Sequence, residues 1–417
     1  MAKKPKQFTG SIATLDIGST KVACFIARME PDASVRITGI GHQLSKGIRC
    51  GHIVDIAEAE TSVVAAVHAA EQMAEETIEN VVVNLAGAGL SSRSVTVELS
   101  ITGESVVERD LADIVSEACA SIDSKDMEII HCFPVHYTLD EVKNIRDPRG
   151  MVGKKLGAEL HIIAAPATMI RNITNCLAHC HLNAAEFVVS PYASALACLE
   201  PDEMDLGVTL IDMGGGVTSI AVFAGGKNQY TDVVPIGGSH VTSDLARGLS
   251  TSITHAERIK TLHGSAVPSS SDHQAMIDVP QLGEEDSADG NNLMPRSMLV
   301  GIIRPRLEEV FEMIRSKLEV AGMDGIAGRR VVLTGGASQL LGTRELATRV
   351  LGKQVRLSKP HTLNGLADSV SGPAFASSIG MLEHARRKTM EDGLLDSSRT
   401  VMPAGLVKAL QWFKKNF

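Results

Sequence analysis

The sequence predicts an α/β protein built as two copies of one unit around a nucleotide. Three stretches carry that prediction. SIATLDIGSTKVACFIA (11 to 27) and TLIDMGGGVTSIAVF (209 to 223) share a pattern: an apolar strand, an aspartate at its end, a turn of glycine and small residues, and a second β-rich run. VVLTGGASQL (331 to 340) adds a third strand, a glycine pair and a helix start. Each stretch alone reads as an ordinary Gly-rich turn. Three of them, two opening successive halves of the chain, point to a duplicated fold.

The chemistry follows from the residue types. Glycine lets the backbone turn sharply and approach a ligand, a turn of exposed N–H groups suits phosphate, and a carboxylate beside it suits Mg²⁺. Asp16 and Asp212 hold equivalent places in the two hairpins. Lys21 adds a cation beside the first turn, placed either to reach a phosphate or to remain solvated at a strand end.

Composition sets the outer bounds. At 417 residues the chain exceeds one hydrophobic core, so two or more domains are expected. A net charge of -9 with 3% aromatics argues against a nucleic-acid platform, which needs basic grooves and stacking rings. Seven scattered cysteines without a CxxC pair suit a reduced cytoplasmic compartment. The start, MAKKPKQFTG, has charge but no apolar core after it, and no run reaches the ~20 apolar residues of a membrane span.

In chain order, 58 to 77 has helix propensity with Val63, Val67 and Ala70 on one face, and VVVNLAG (81 to 87) reads as a buried strand. From about 88 to 161 the texture becomes that of a small α+β insertion, after which IIAAP (162 to 166) returns to core-strand composition. Cys176, His179, Cys180 and His181 resemble metal ligands, but a helix end favours histidine and buried cysteine is common, so no metal site is assigned. His131, Cys132 and His136 scatter over both faces of a strand and are treated alike. FVVSPYASALACL (187 to 199) is a strand followed by a Pro-started helix of small residues.

Beyond the second hairpin, Gly237 and Gly238 precede a helix whose N-terminus could hold phosphate. The next helix places Glu257 and Lys260 on one face, a spacing that a solvated ion pair explains equally well. Residues 264 to 295 form an acidic, loop-rich stretch. A long helix follows, with Ile303, Leu307, Val310, Ile314 and Leu318 on one stripe and Pro305 expected in its first turns.

The order and spacing of these motifs resemble the actin, Hsp70 and sugar-kinase superfamily, and within it the FtsA family of bacterial cell-division proteins, from about Thr9 to the last residue. Neither a Walker A loop nor a complete GxGxxG is present. The resemblance implies an actin-like (ribonuclease H-like) fold with two halves around an ATP cleft, small inserted subdomains and a C-terminal amphipathic helix. It divides the chain into a first large subdomain (8–87 and 162–204) with an insertion (88–161), and a second large subdomain (205–236 and 300–385) with a small one (237–299). A linker (386–404) and a membrane-targeting helix (405–417) complete it.

Carried over by position, the resemblance implies ATP with Mg²⁺, the cation or its waters oriented by Asp16 and Asp212. Gly18, Ser19, Thr20, Lys21, Gly214, Gly215, Gly216 and Thr218 would hold phosphates, with Gly238 beside them. Glu257 and Lys260 would flank the ribose, and Gly335, Gly336, Ala337 and Ser338 the adenosine. One departure matters. Where Hsp70-like and MreB-like relatives carry Glu-Pro at the end of the strand before the second proline-started helix, this chain has Ser190-Pro191. Serine is a poor general base without a partner, so a weak ATPase at most is expected, with no catalytic residue assigned.

At the C-terminus Leu406, Leu410, Phe413 and Phe417 form one helical stripe, flanked by Val407 and the chain's only tryptophan, Trp412. Lys408, Gln411 and Lys415 lie opposite it, and the lysines, Lys414 included, make a local reversal of the chain's charge that suits an anionic leaflet. A docked terminal helix is the plainer alternative. The resemblance implies a peripheral protein on the cytoplasmic face of the inner membrane, at the division septum. Its implied partners are copies of itself, the tail of the tubulin-like protein FtsZ, and later division proteins. Arg296, Arg304 and Arg306 follow an acidic loop and could pair with an acidic peptide of FtsZ, or could simply be solvated. A pilus-assembly relative and a sugar kinase are the alternative functions on the same fold.

Overall fold

The computed structural model describes residues 10–122, 126–282 and 292–398. The first half begins with β1 (Ser11–Ile17), β2 (Lys21–Met29) and β3 (Val35–Leu44), then a short hairpin of β4 (Ile48–Arg49) and β5 (His52–Ile53), helix α1 (Ile56–Ala74) and β6 (Asn80–Leu85). An insertion supplies β7 (Ser91–Ser100), α2 (Glu108–Ala120), β8 (Met127–Leu139), β9 (Val142–Ile145) and β10 (Lys155–Pro166). Helix α3 (Ala167–His179), β11 (Asn183–Val189) and α4 (Ser190–Cys198) complete this half, and α5 (Pro201–Leu206) leads out of it.

The second half repeats the plan. It runs β12 (Val208–Met213), β13 (Thr218–Ala224), β14 (Lys227–Val234), α6 (Gly238–Gly248), α7 (Ile253–His263), β15 (Met276–Asp278), β16 (Leu293–Pro295) and α8 (Arg296–Val320). Then come β17 (Arg330–Thr334), a 3₁₀ turn at Gly336–Gln339, α9 (Thr343–Leu351), β18 (Gln354–Leu357) and α10 (Ala376–Ser398).

The two main sheets have the same design: β11-β6-β1-β2-β3 and β14-β13-β12-β17-β18. In each, an antiparallel hairpin supplies the centre and parallel strands extend one side. Their central strands are covered on both faces, which explains near-continuous apolar runs such as VVV in β6. Helix α1 presents Ala59, Val63, Ala66 and Ala70 to its sheet, starting where Asp55 accepts a hydrogen bond from the Glu58 N–H at 3.1 Å.

Three boundaries differ from the sequence reading. The core-like run 162 to 166 is the end of β10, which pairs with β7 and β8 in the inserted sheet; its apolar character comes from packing between α2 and the first half. Pro305 lies well inside α8, because the helix starts at Arg296; the Gly301 carbonyl that its missing N–H leaves unpaired belongs to a residue with open space around it. The stretch assigned to a linker from 386 is helical through Ser398 in α10, where Arg386 holds Glu383 at 2.6 Å. The amphipathic stretch 405–417, with Leu406, Val407, Lys408, Leu410, Trp412, Phe413, Lys414, Lys415 and Phe417, lies outside the described residues.

Candidate functional site

The central hairpins of the two sheets meet tip to tip, and they are built alike. In the first, Asp16 pairs with Ala23 across the strands and the Gly18 N–H donates to the Lys21 carbonyl at 2.9 Å. In the second, Asp212 pairs with Ser219 and the Gly214 N–H donates to the Val217 carbonyl at 2.9 Å. Each tip therefore uses its first amide internally. Among the described residues, the N–H groups of Ser19, Thr20, Gly215 and Gly216 have no acceptor. All four residues line one cavity of about 140 Å³. Converging free amides of this kind make an anion cradle.

The two aspartates stand in the wall of that cavity. Asp16 Oδ2 accepts from Ser378 Oγ at 2.7 Å and from Lys21 Nζ at 3.3 Å, while Lys21 Nζ lies 4.4 Å over the Phe375 ring. Asp212 Oδ2 accepts from Ser194 Oγ at 2.5 Å. Desolvation pushes Asp212 up to about 6; the Ser194 hydrogen bond and the Lys21 charge oppose that, and the Asp16 charge adds to it. Among the described residues no hydrogen bond reaches Oδ1 of either aspartate. Two hard carboxylates with a spare oxygen beside an amide cradle fit Mg²⁺, which takes one or two carboxylates, phosphate oxygens and water.

Next to the cradle is a larger cavity of about 460 Å³, in the size range of small-molecule sites; Thr20, Gly215 and Gly336 line both. Its wall is a polar knot on α6 and α7. Lys260 Nζ donates to Glu257 Oε2 at 2.6 Å, to Thr242 Oγ1 at 2.8 Å and to the Gly238 carbonyl at 3.2 Å, and Thr242 Oγ1 also bonds Glu257. Gly336 and Ala337 close the opposite side.

Several expected roles change. Gly238 lines the larger cavity, but its N–H and that of Ser239 donate to the carbonyls of Gly214 and Gly215 at 2.9 and 2.8 Å. The N-terminus of α6 thus braces the second hairpin and has those two amides engaged. Thr218 is buried, its hydroxyl bonded to the Ile236 carbonyl at 2.8 Å, and strand alternation puts Ser219 in the cavity wall in its place. Ser338 is buried and folds back on the Gly335 carbonyl at 2.7 Å, leaving the contact surface to Gly335, Gly336 and Ala337.

The three arginines do not form a free cationic patch. Arg296 lines the larger cavity and holds Asp272 at 2.9 Å, Arg304 holds Glu308 at 2.8 Å, and Arg306 holds Asp244 at 2.6 Å with Glu309 beside it. Ser190 is in the wall of the cradle, as its motif position implies, and Asn84 Nδ2 donates to its hydroxyl at 3.1 Å. Asn84, Ser194, Thr242, Phe375 and Ser378 escape the sequence reading. Only Asn84 leaves a signal, as the one polar residue inside VVVNL.

A duplicated pair of sheets that brings two aspartates and two amide-rich tips to one cleft defines an actin-like nucleotide-binding fold. The solved structures agree: the chain resembles a PilM-PilN type IV pilus biogenesis complex (TM-score 0.62, 17% identity, covering 90% of this chain and 98% of that one). It also resembles MreB5 of Spiroplasma citri bound to ADP (TM-score 0.55, 12% identity, 91% and 98% covered). The family is more specific. Residues 209–380 match the model of cell division protein FtsA, and 87–164 match that of the SHS2 domain inserted in FtsA. The chain is 40% identical to the cell division protein FtsA of Rhizobium meliloti over 99% of its length and 96% of that protein's. It is 30% identical to that of Escherichia coli K12 over 97% and 98%. The chain belongs to the FtsA family of cell-division proteins, which sets aside the pilus-assembly and sugar-kinase alternatives.

Proposed function

We propose that this chain closes its two halves on ATP, assembles with copies of itself, and holds FtsZ at the cytoplasmic face of the inner membrane, where later division proteins join. The observation that carries the reading is the paired set of free amides and aspartates facing one cavity. Those amides suit phosphate oxygens, and Glu257, held by Lys260 in the wall of the neighbouring cavity, offers a carboxylate to a ribose hydroxyl. Mg²⁺, when bound, neutralises phosphate charge, and Asp16 and Asp212 are the residues that would hold it or its waters. Ser190, bonded to Asn84 rather than to a carboxylate or histidine, gives the attacking water no general base.

The chain is therefore read as a nucleotide-gated anchor rather than a robust ATPase. Membrane attachment is assigned to 405–417 on sequence grounds, with several weak helices on one assembly acting through avidity. Among the described residues no helix is long and apolar enough to cross a membrane. The arginine pairings make α8 a poor free receptor, so an acidic FtsZ tail docking there would have to displace Asp272, Asp244 or Glu308.

The deciding experiment is co-sedimentation with anionic liposomes, with ATP and an FtsZ-tail peptide added separately. Removing 405–417, or Trp412→Glu, is expected to abolish sedimentation while ATP binding persists. Unchanged sedimentation refutes the anchor. Failure to retain the FtsZ peptide refutes the partner, and sustained turnover of ~1 per second or more refutes the non-enzymatic reading.

A further inference from the structure

Helices α4 and α10 cross between the halves in an exchanged arrangement. Helix α4 leaves the last strand of the first sheet and packs on β12, β13 and β17 of the second; α10 ends the second half and packs on β1, β2 and β6 of the first. Each carries a fully buried serine to the aspartate of the sheet it visits. Ser194 Oγ on α4 donates to Asp212 at 2.5 Å, and Ser378 Oγ on α10 donates to Asp16 at 2.7 Å. The two hydrogen bonds are counterparts in the duplication. The first turn of α10 also enters the cradle itself: Ser377 lines it, nearly buried, with a hydroxyl that has no partner among the described residues.

We propose that Ser194 and Ser378 are crossed positioning residues, each fixing the cleft aspartate of one half from the connecting helix that the other half holds. The consequence is mechanical. A carboxylate has several staggered orientations, and a buried hydroxyl on one oxygen selects among them while leaving the other oxygen toward the cavity. Because the hydroxyls ride on the two helices that cross between the halves, the seating of those helices and the orientation of the aspartates become one event. A cleft whose helices are displaced presents misdirected carboxylates, so tight Mg²⁺-dependent nucleotide binding requires both helices to be seated. The proposal builds on the ATP–Mg²⁺ reading only in this last step; the crossing of the two bonds stands without it.

The test has two arms, applied to Ser194→Ala and Ser378→Ala in the full chain. In nucleotide-free protein, exchange of the hydrogen-bonded tip amides should rise severalfold in a crossed pattern: at Gly214 for Ser194→Ala and at Gly18 for Ser378→Ala. Rises at the opposite turns, or at both equally, overturn the crossing. In the second arm, a fluorescent ATP analogue is titrated with Mg²⁺ and with EDTA. Losing a hydrogen bond to a charged group should weaken binding about tenfold in Mg²⁺, with little change in EDTA. Equal losses in both, or none in either, overturn the positioning role. Should an alanine variant fold poorly, Ser→Cys, close in volume and a weak donor, takes its place. Absence of nucleotide binding by the unsubstituted chain would sink the ATP reading while the exchange arm still decides the crossing.

Discussion

Gly380 of α10 lies directly on the carbonyl of Ala193 in α4, so close that a Cβ built on the glycine would land inside the oxygen atom. The obstacle is backbone, which cannot rotate away as a side chain does. Small residues flank the crossing on both helices, with Ala193, Ala195, Ala197, Ala376 and Ser378 all buried there. Close approach at this one point lets two short hydroxyls reach across to the aspartates.

Gly380→Ala therefore sets two effects against each other. Alanine improves helix propensity by about 1 kcal/mol. Forcing a methyl group into the crossing costs about 3 kcal/mol, the upper part of the usual range for overpacking. The steric effect is expected to win, lowering the calorimetric melting temperature and weakening nucleotide binding together. A variant that melts at or above the parent temperature would show that the helices part without strain.

The Asn84–Ser190 contact carries a second prediction. Asn84 Oδ1 accepts from the Ile17 N–H at 2.6 Å while its amide donates to Ser190, so it ties the first hairpin to the start of α4. Asn84→Leu leaves both partners buried without a bond and should destabilise the chain by about 2 kcal/mol. Ser190→Glu acts differently, placing a carboxylate in the cradle wall where the motif of Hsp70-like and MreB-like relatives has one. Phosphate release by Ser190→Glu is expected to exceed that of the parent about tenfold, a modest share of what a general base supplies. An unchanged rate would mean that another group sets the hydrolysis rate.

These residues also mark the limits of what the sequence discloses. Asp16, Asp212 and the glycine turns are legible because their chemistry needs particular residue types at particular spacings, and the two hairpins repeat them. Ser194 and Ser378 are not, because a serine in a small-residue helix reads as packing until the crossing of α4 and α10 is known. Thr218 and Ser219 exchange roles for a similar reason: one position along a strand reverses the face. The arginines of α8 read as a patch in sequence and become separate ion pairs once Asp244 and Asp272 are brought to them from distant elements. The insertion is visible as a change of texture, but its last strand runs on to Pro166, where an apolar run is equally suited to either sheet.

Two buried histidines give a pH prediction. His161 in β10 is 1% exposed, neither ring nitrogen makes a hydrogen bond of normal geometry, and the Asn228 backbone compensates it only weakly. Burial pulls it from 6.5 to about 4, and burial together with the His384 charge pulls His131 to about 3. Both stay neutral in the folded chain while the unfolded chain protonates near 6.5. Their contribution is thus intact above 6.5 and is lost as pH falls from there toward 4 and 3. For His161 the loss amounts to about 3 kcal/mol by pH 4. His161→Phe should flatten the acid limb of a stability-versus-pH curve and raise stability at pH 5. A steeper limb in the variant would assign the acid sensitivity elsewhere.

Gly335 supplies the last prediction, at the point where the third glycine motif meets the second aspartate. Its φ is +86°, in the left-handed region, and an added Cβ would sit 2.5 Å from the Met213 carbonyl oxygen and still nearer Asp212 Oδ1. Gly335→Ala therefore strains the backbone and also drives a methyl group into the carboxylate oxygen that no hydroxyl holds. Gly336, without a positive φ and with only the Ala374 side chain 3.6 Å from its added Cβ, is the matched control. Gly335→Ala is expected to abolish Mg²⁺-dependent nucleotide binding and to cost about 2 kcal/mol or more in stability. Gly336→Ala should keep the parent's stability, because ordinary contact replaces overlap. Equal losses in the two variants would show that the turn tolerates no side chain anywhere, and that Asp212 Oδ1 is not the group being disturbed.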